Sequence, residues 1–147
     1  MTGVLELIPV VLYLLIGVVC LVMAFKNLSS TKFLPFHAKA AGKMWNEIED
    51  PLKLVILSLL RISGLGFLIV SILMMVSPIV GYFTPNIFYK YLIPFVALIY
   101  CMGIFVVNYF LYKKTKANTP WRGSLYAMFV IIAGIIISIF NWVVSGS

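Results

Sequence analysis

Residues 52–80 read LKLVILSLLRISGLGFLIVSILMMVSPIV. Past Lys53 at its start, this run carries one charge, Arg61, and is otherwise almost continuously apolar. About 20 apolar residues in a helix are enough to cross the hydrocarbon core of a bilayer. Backbone placed there has no water to bond to, and a helix satisfies its N–H and C=O groups internally. The run therefore predicts a transmembrane helix.

Outward from it, three further runs meet the same criterion, at 7–26, 88–112 and 122–144. The expected fold is an all-α membrane protein, an antiparallel four-helix transmembrane bundle forming a single domain over 1–147. Composition agrees: 63% of the 147 residues are hydrophobic and 10% charged. The mean hydropathy is +1.13. Soluble domains are roughly half apolar and about a quarter charged. A small domain has too much surface to hide such an excess from water. The stretch before the first run has Glu6 and no Lys or Arg, and no A-x-A site follows the run, so it reads as a span and not as a cleaved leader.

The net charge of +7 does not point to nucleic acid, which needs a solvent-exposed basic face. The basic residues sit instead in short connections. Lys26, Lys32, Lys39, Lys43 and Lys53 lie in or beside residues 27–50, and Lys113, Lys114, Lys116 and Arg122 in or beside 113–121. The other side has only Lys90 near a span. Positive loops stay in the cytoplasm, so both connections are expected inside and both termini outside. Contacts to membrane lipids, anionic ones included, are expected there.

Asp50-Pro51, Thr84-Pro85 and Thr119-Pro120 each set a capping side chain before a proline, which predicts three helix starts. Ile93-Pro94 falls inside the third run and predicts a kink or a delayed start. In the first connection, Ala41, Met44, Trp45 and Ile48 have the spacing of one helix face, with Lys39, Lys43, Asn46, Glu47 and Asp50 away from it. A short amphipathic helix over about 38–48, lying in the interface with Trp45 at headgroup depth, is expected. His37, Trp45, Trp121 and Arg122 are the candidate interfacial residues.

On helical wheels, small and polar residues gather on one side of each span. They are Glu6, Tyr13, Gly17, Cys20 and Ala24; loosely Ser58, Arg61, Gly64 and Ser71; Lys90, Pro94, Ala97, Cys101, Ile104, Asn108 and Tyr112; and Gly123, Ala127, Gly134, Ser138 and Asn141. Such stripes are how membrane helices pack. Arg61 lies about 12 Å along its helix from Lys53 and Asn108 about 8 Å from Lys113. They share a depth, and Ser58 and Tyr112 join them. Charge in hydrocarbon needs a partner, so Arg61 is expected to face the interior. Arg61, Asn108, Tyr112 and Ser58 form the candidate ligand-binding set. Near the outer end, Glu6, Lys90 and Asn141 lie on the inward stripes.

Cys20 and Cys101 have no metal-ligand spacing and His37 is the sole histidine, so no metal or cofactor is expected. No nucleophile–base pair stands out, and no catalytic residue is assigned.

Two blocks carry a resemblance. One is Leu34-Pro35-Phe36-His37-Ala38, Trp45, Glu47, Pro51, Leu59-Leu60-Arg61, Gly64 and Gly66; the other is Thr115 with Thr119-Pro120-Trp121-Arg122. Together they resemble a set of small bacterial four-helix membrane proteins without an assigned activity. The resemblance spans residues 34–123 and implies a bacterial inner-membrane setting. Small multidrug exporters, by contrast, place a carboxylate mid-membrane in the first helix, where this chain has none. The expected function is that of a non-enzymatic accessory or assembly module, packing with copies of itself or another membrane protein. The alternatives are binding or transport of an anionic amphiphile through Arg61, and an enzyme acting on a lipophilic substrate.

Overall fold

The computed structural model describes residues 2–84, 86 and 88–145. Among them the chain is all-helical, with no strand. Helix α1 covers Thr2–Leu28, α2 Pro35–Ala41, α3 Asp50–Phe83, α4 Ile93–Thr115 and α5 Trp121–Ser145. A 3-10 turn at Trp45–Glu47 precedes α3, and a π-helical turn at Phe88–Leu92 leads into α4. Four segments, Glu6–Leu28, Asp50–Phe83, Tyr89–Thr115 and Trp121–Val144, are long and apolar enough to cross a membrane. Their outward surface is apolar: Leu54 is 68% exposed, Val107 66% and Phe83 77%. Contiguous apolar surface of this kind belongs against lipid and not water. These features define a multi-pass, helical membrane protein.

Helix α1 packs most extensively on α3 and next on α5, and α4 packs on α5. Helices α3 and α4 touch only lightly. Their link is Tyr100, whose ring meets Phe67 edge-on at 5.5 Å and whose hydroxyl reaches the Ser63 carbonyl at 3.4 Å. The core joins Tyr13, Ile16 and Cys20 of α1, Val70 and Met74 of α3, Ala97 and Cys101 of α4, and Ile131 of α5.

Small residues set the close approaches. A methyl group on Gly17 would lie 2.5 Å from Met75 Cγ and 3.3 Å from backbone of α3, and one on Gly134 would lie 2.5 Å from the Tyr13 ring. The Ser71 hydroxyl donates to the Gly17 carbonyl at 2.8 Å. The stripe on α1 is buried as expected at Tyr13, Gly17, Cys20 and Ala24, and that on α4 at Pro94, Ala97 and Cys101. On α5, Gly134, Ser138 and Asn141 are buried but Gly123 is exposed. On α3 the buried face runs through Leu60, Gly64, Ser71, Met74 and Pro78. At about 100° per residue, Arg61 points about 80° and Ser58 about 140° away from Ser71. Both are exposed, so the expectation that Arg61 faces the interior is corrected.

The helix starts differ from expectation in an instructive way. Asp50 does not cap α3; its carboxylate accepts from Lys53 Nζ at 2.8 Å, a charged donor that outcompetes a peptide N–H. Thr119 does not cap α5; its hydroxyl donates to the Asn108 carbonyl at 2.8 Å and ties the second connection back onto α4. Thr84 closes α3, its N–H donating to the Val80 carbonyl at 2.8 Å, and Pro85 lies outside the described residues. Pro94 acts as expected: the regular helix begins beside it, after the π-helical turn.

The single helix expected over 38–48 is not formed. Helix α2 stops at Ala41, because Gly42 adopts φ 62° and donates its N–H to the Ala38 carbonyl at 3.0 Å. Glycine enters this left-handed conformation without a Cβ penalty and so terminates helices. The chain then turns again at Trp45–Glu47, where the Glu47 carboxylate accepts the Met44 N–H at 2.8 Å. Of the expected stripe, only Ile48 is buried, while Ala41 and Met44 are exposed.

Candidate functional site

The residues expected to bind a ligand are not brought together. Among the described residues no hydrogen bond or ring contact joins Arg61 or Ser58 to Asn108 or Tyr112. The Ser58 hydroxyl donates to the Leu54 carbonyl at 2.8 Å, and the Asn108 amide to the Ile104 carbonyl at 2.9 Å. Tyr112 belongs instead to an aromatic group. Its ring lies 5.8 Å from that of Trp121, which also meets Phe105 at 6.3 Å and Tyr109 at 5.7 Å. The Arg122 guanidinium stands 5.4 Å from the Trp121 ring, within the range of a cation–π contact. Trp121 thus anchors the start of α5 to the end of α4.

In the first connection, Phe33, His37, Lys43, Glu47, Ile48 and Glu49 line a small hollow with Leu52 and Ile56 of α3. The Trp45 ring meets Phe33 edge-on at 5.0 Å. His37 is half-buried, its Nδ1 has no partner, and burial holds its pKa below the usual imidazole value. The hollow holds the connection against α3, and its charged side chains stand at an open rim.

The large cavity lies at the end opposite the basic connections. Its volume is about 940 Å³, near the upper end of the range of roughly 300–1,000 Å³ for small-molecule sites. Four stretches meet there: Glu6 to Tyr13 of α1, Pro78 to Tyr82 of α3, Tyr89 to Phe95 leading into α4, and Ile135 to Trp142 of α5. Prolines cluster at this end. Pro9 and Pro78 stand inside α1 and α3, and Pro94 opens α4. Each lacks an N–H, which interrupts the helical ladder inside α1 and α3 and suits the first turn of α4.

The cavity has a polar floor and apolar sides. Tyr13 is only 3% exposed; its hydroxyl, beside Ser138, meets no partner in hydrogen-bond geometry. The Tyr91 hydroxyl reaches the Ser138 carbonyl at 3.3 Å, and the Ser77 hydroxyl donates to the Tyr89 carbonyl at 2.6 Å, fixing the π-helical turn to α3. Glu6 and Lys90 both line the space. Among the described residues the one ion pair is Lys53–Asp50, so these two opposite charges face one cavity without bridging. Tyr82, Leu92, Phe95, Ile139 and Trp142 line it too and are also exposed on the outer surface. The cavity wall is therefore continuous with the surface that meets lipid.

Glu6, Lys90 and Asn141, placed by sequence near one end on the inward stripes but not among the candidate site residues, all line the cavity, though Glu6 is exposed. Tyr13, Tyr91 and Ser138 were not singled out as site residues. The available signal was proline: positions 9, 78 and 94 all fall toward the same ends of their spans.

Comparison of the chain with protein-family models, curated proteins and solved structures finds no match.

Proposed function

We propose that this is a non-enzymatic membrane protein that holds a lipid-like amphiphile in the cavity opposite its basic connections. The carrying observation is the shape and chemistry of that space. It offers polar groups at depth and apolar walls open to the lipid face, which fits a molecule with a polar head and a hydrocarbon chain.

We read the helices as an antiparallel bundle, because the start of α1, the end of α3, the start of α4 and the end of α5 line one cavity. With basic loops inside, the cavity opens toward the outer leaflet of a bacterial inner membrane and both termini lie outside. Residues 35–48 then rest in the inner interface with His37 and Trp45, beside Trp121 and Arg122. Arg61 snorkels toward inner-leaflet headgroups, where anionic lipid meets it.

A second reading is an accessory module that joins copies of itself or another membrane protein. It draws on Gly103 and Gly123, both exposed with open space beside them, where a partner helix can approach closely. The other small positions of the α5 stripe face inward: Gly134 is filled by Tyr13 of the same chain.

Native mass spectrometry in mild detergent tests the first reading. Wild type and Arg61→Leu are expected to retain the same amphiphile. Val10→Trp, which fills the cavity from α1, is expected to lose it while its melting temperature is kept. Retention in Val10→Trp together with loss in Arg61→Leu would place the ligand at the other end and reject the cavity.

A further inference from the structure

We propose that the head of the bound amphiphile is zwitterionic, with its cationic group at Glu6 and its anionic group at Lys90; this rests on the cavity being an amphiphile site. Glu6 comes from α1 and Lys90 from the π-helical turn, and both line the same cavity. Neither takes part in an ion pair among the described residues. Lys90 is half-buried and Glu6 exposed, so both charges are open to a ligand that enters the cavity.

The two charges together decide which heads fit. A purely anionic head at Lys90 is repelled by Glu6. A purely cationic head at Glu6 is repelled by Lys90. A neutral head pairs with neither charge. A head that carries both a cation and an anion can meet both charges, and specificity comes as much from the rejected heads as from the accepted one. The chains leave between Phe95 and Trp142, which line the cavity and face lipid.

The test uses purified full-length protein, with Trp fluorescence quenched by brominated short-chain lipids of three head types: phosphoethanolamine, phosphoglycerol and alkyl-trimethylammonium. The wild type is expected to prefer the zwitterion by about tenfold over either singly charged head. Glu6→Gln should move the preference toward phosphoglycerol, and Lys90→Gln toward the trimethylammonium chain. The exchange Glu6→Lys with Lys90→Glu should restore preference for the zwitterion. Equal affinity for all three heads in wild type, or no change in preference in either single variant, overturns the zwitterion assignment. Chain-free glycerophosphoethanolamine should bind far more weakly than its lipid; equally tight binding points to a soluble zwitterion and rejects the amphiphile itself. Binding that Val10→Trp abolishes, without head preference, rejects the zwitterion alone. Binding that Val10→Trp leaves intact rejects the cavity as well.

Discussion

Arg61 and Lys90 are both long cations on apolar segments, yet they do different things. Arg61 lies off the buried stripe of α3 and is exposed, so its stem runs along lipid and its head seeks water. Lys90 sits on the stripe that becomes the cavity wall and is half-buried. Angle about the helix axis separates the two. His37 shows burial acting on titration. Its imidazole is desolvated and its folded pKa is lowered, so the unfolded connection takes up a proton before the folded one does. Stability from a neutral His37 is thus fully present above about pH 6.5 and is lost as pH falls through that value toward the lower folded pKa. Lys43, Glu47 and Glu49 line the same hollow. Tryptic cleavage after Lys39 and Lys43 should rise as pH drops below about 6.5 in wild type and stay flat in His37→Gln. Equal pH dependence in both would show that His37 does not set the stability of the connection.

At the scale of elements, glycine and proline account for most departures from regular helix. Gly42 ends α2, and Pro94 follows a π-helical turn. Helices α1 and α3 meet at Gly17 through both shape and a hydrogen bond, and magnitude decides which matters more. An interhelical hydrogen bond in a membrane protein averages about 0.6 kcal/mol, whereas forcing extra bulk into a packed interface costs about 1–3 kcal/mol. Gly17→Leu should therefore lower the melting temperature in detergent by several times the effect of Ser71→Ala. The reverse order would mean that the hydroxyl, and not close packing, holds the pair together. A smaller term of the same kind ties Thr119 to the Asn108 carbonyl. There it replaces the capping role that the Thr-Pro pair predicted, because a carbonyl of a neighbouring helix lies within reach.

Across the whole molecule, one end carries the basic connections and the other the cavity. The orientation in the membrane is testable on the intact chain. Cysteines placed at Ser29 or Lys116 should stay protected from an impermeant thiol reagent in whole cells. A cysteine at Asn86, beside the cavity, should react. Reaction at Ser29 or Lys116 would invert the orientation and turn the cavity toward the cytoplasm.

The helical fold was legible in the sequence because it depends on a local quantity. A run such as 52–80 cannot leave lipid without exposing apolar surface to water, or enter it except as a helix. The buried faces of α1 and α4 were equally legible, since small residues recur at helical spacing. The break at Gly42 was written in the chain as well, but the apolar stripe around it outweighed a lone glycine. The site depended on more than one helix. Whether Arg61 faces lipid or interior turns on how α3 is rotated against α1, and that rotation is fixed by Ser71 and Gly17 meeting across the two. The cavity is lined by Pro9 and Pro78 together with residues of all four long segments. Sequence sets the residues on each segment separately; only packing decides that these stretches face one another and leave a space between them.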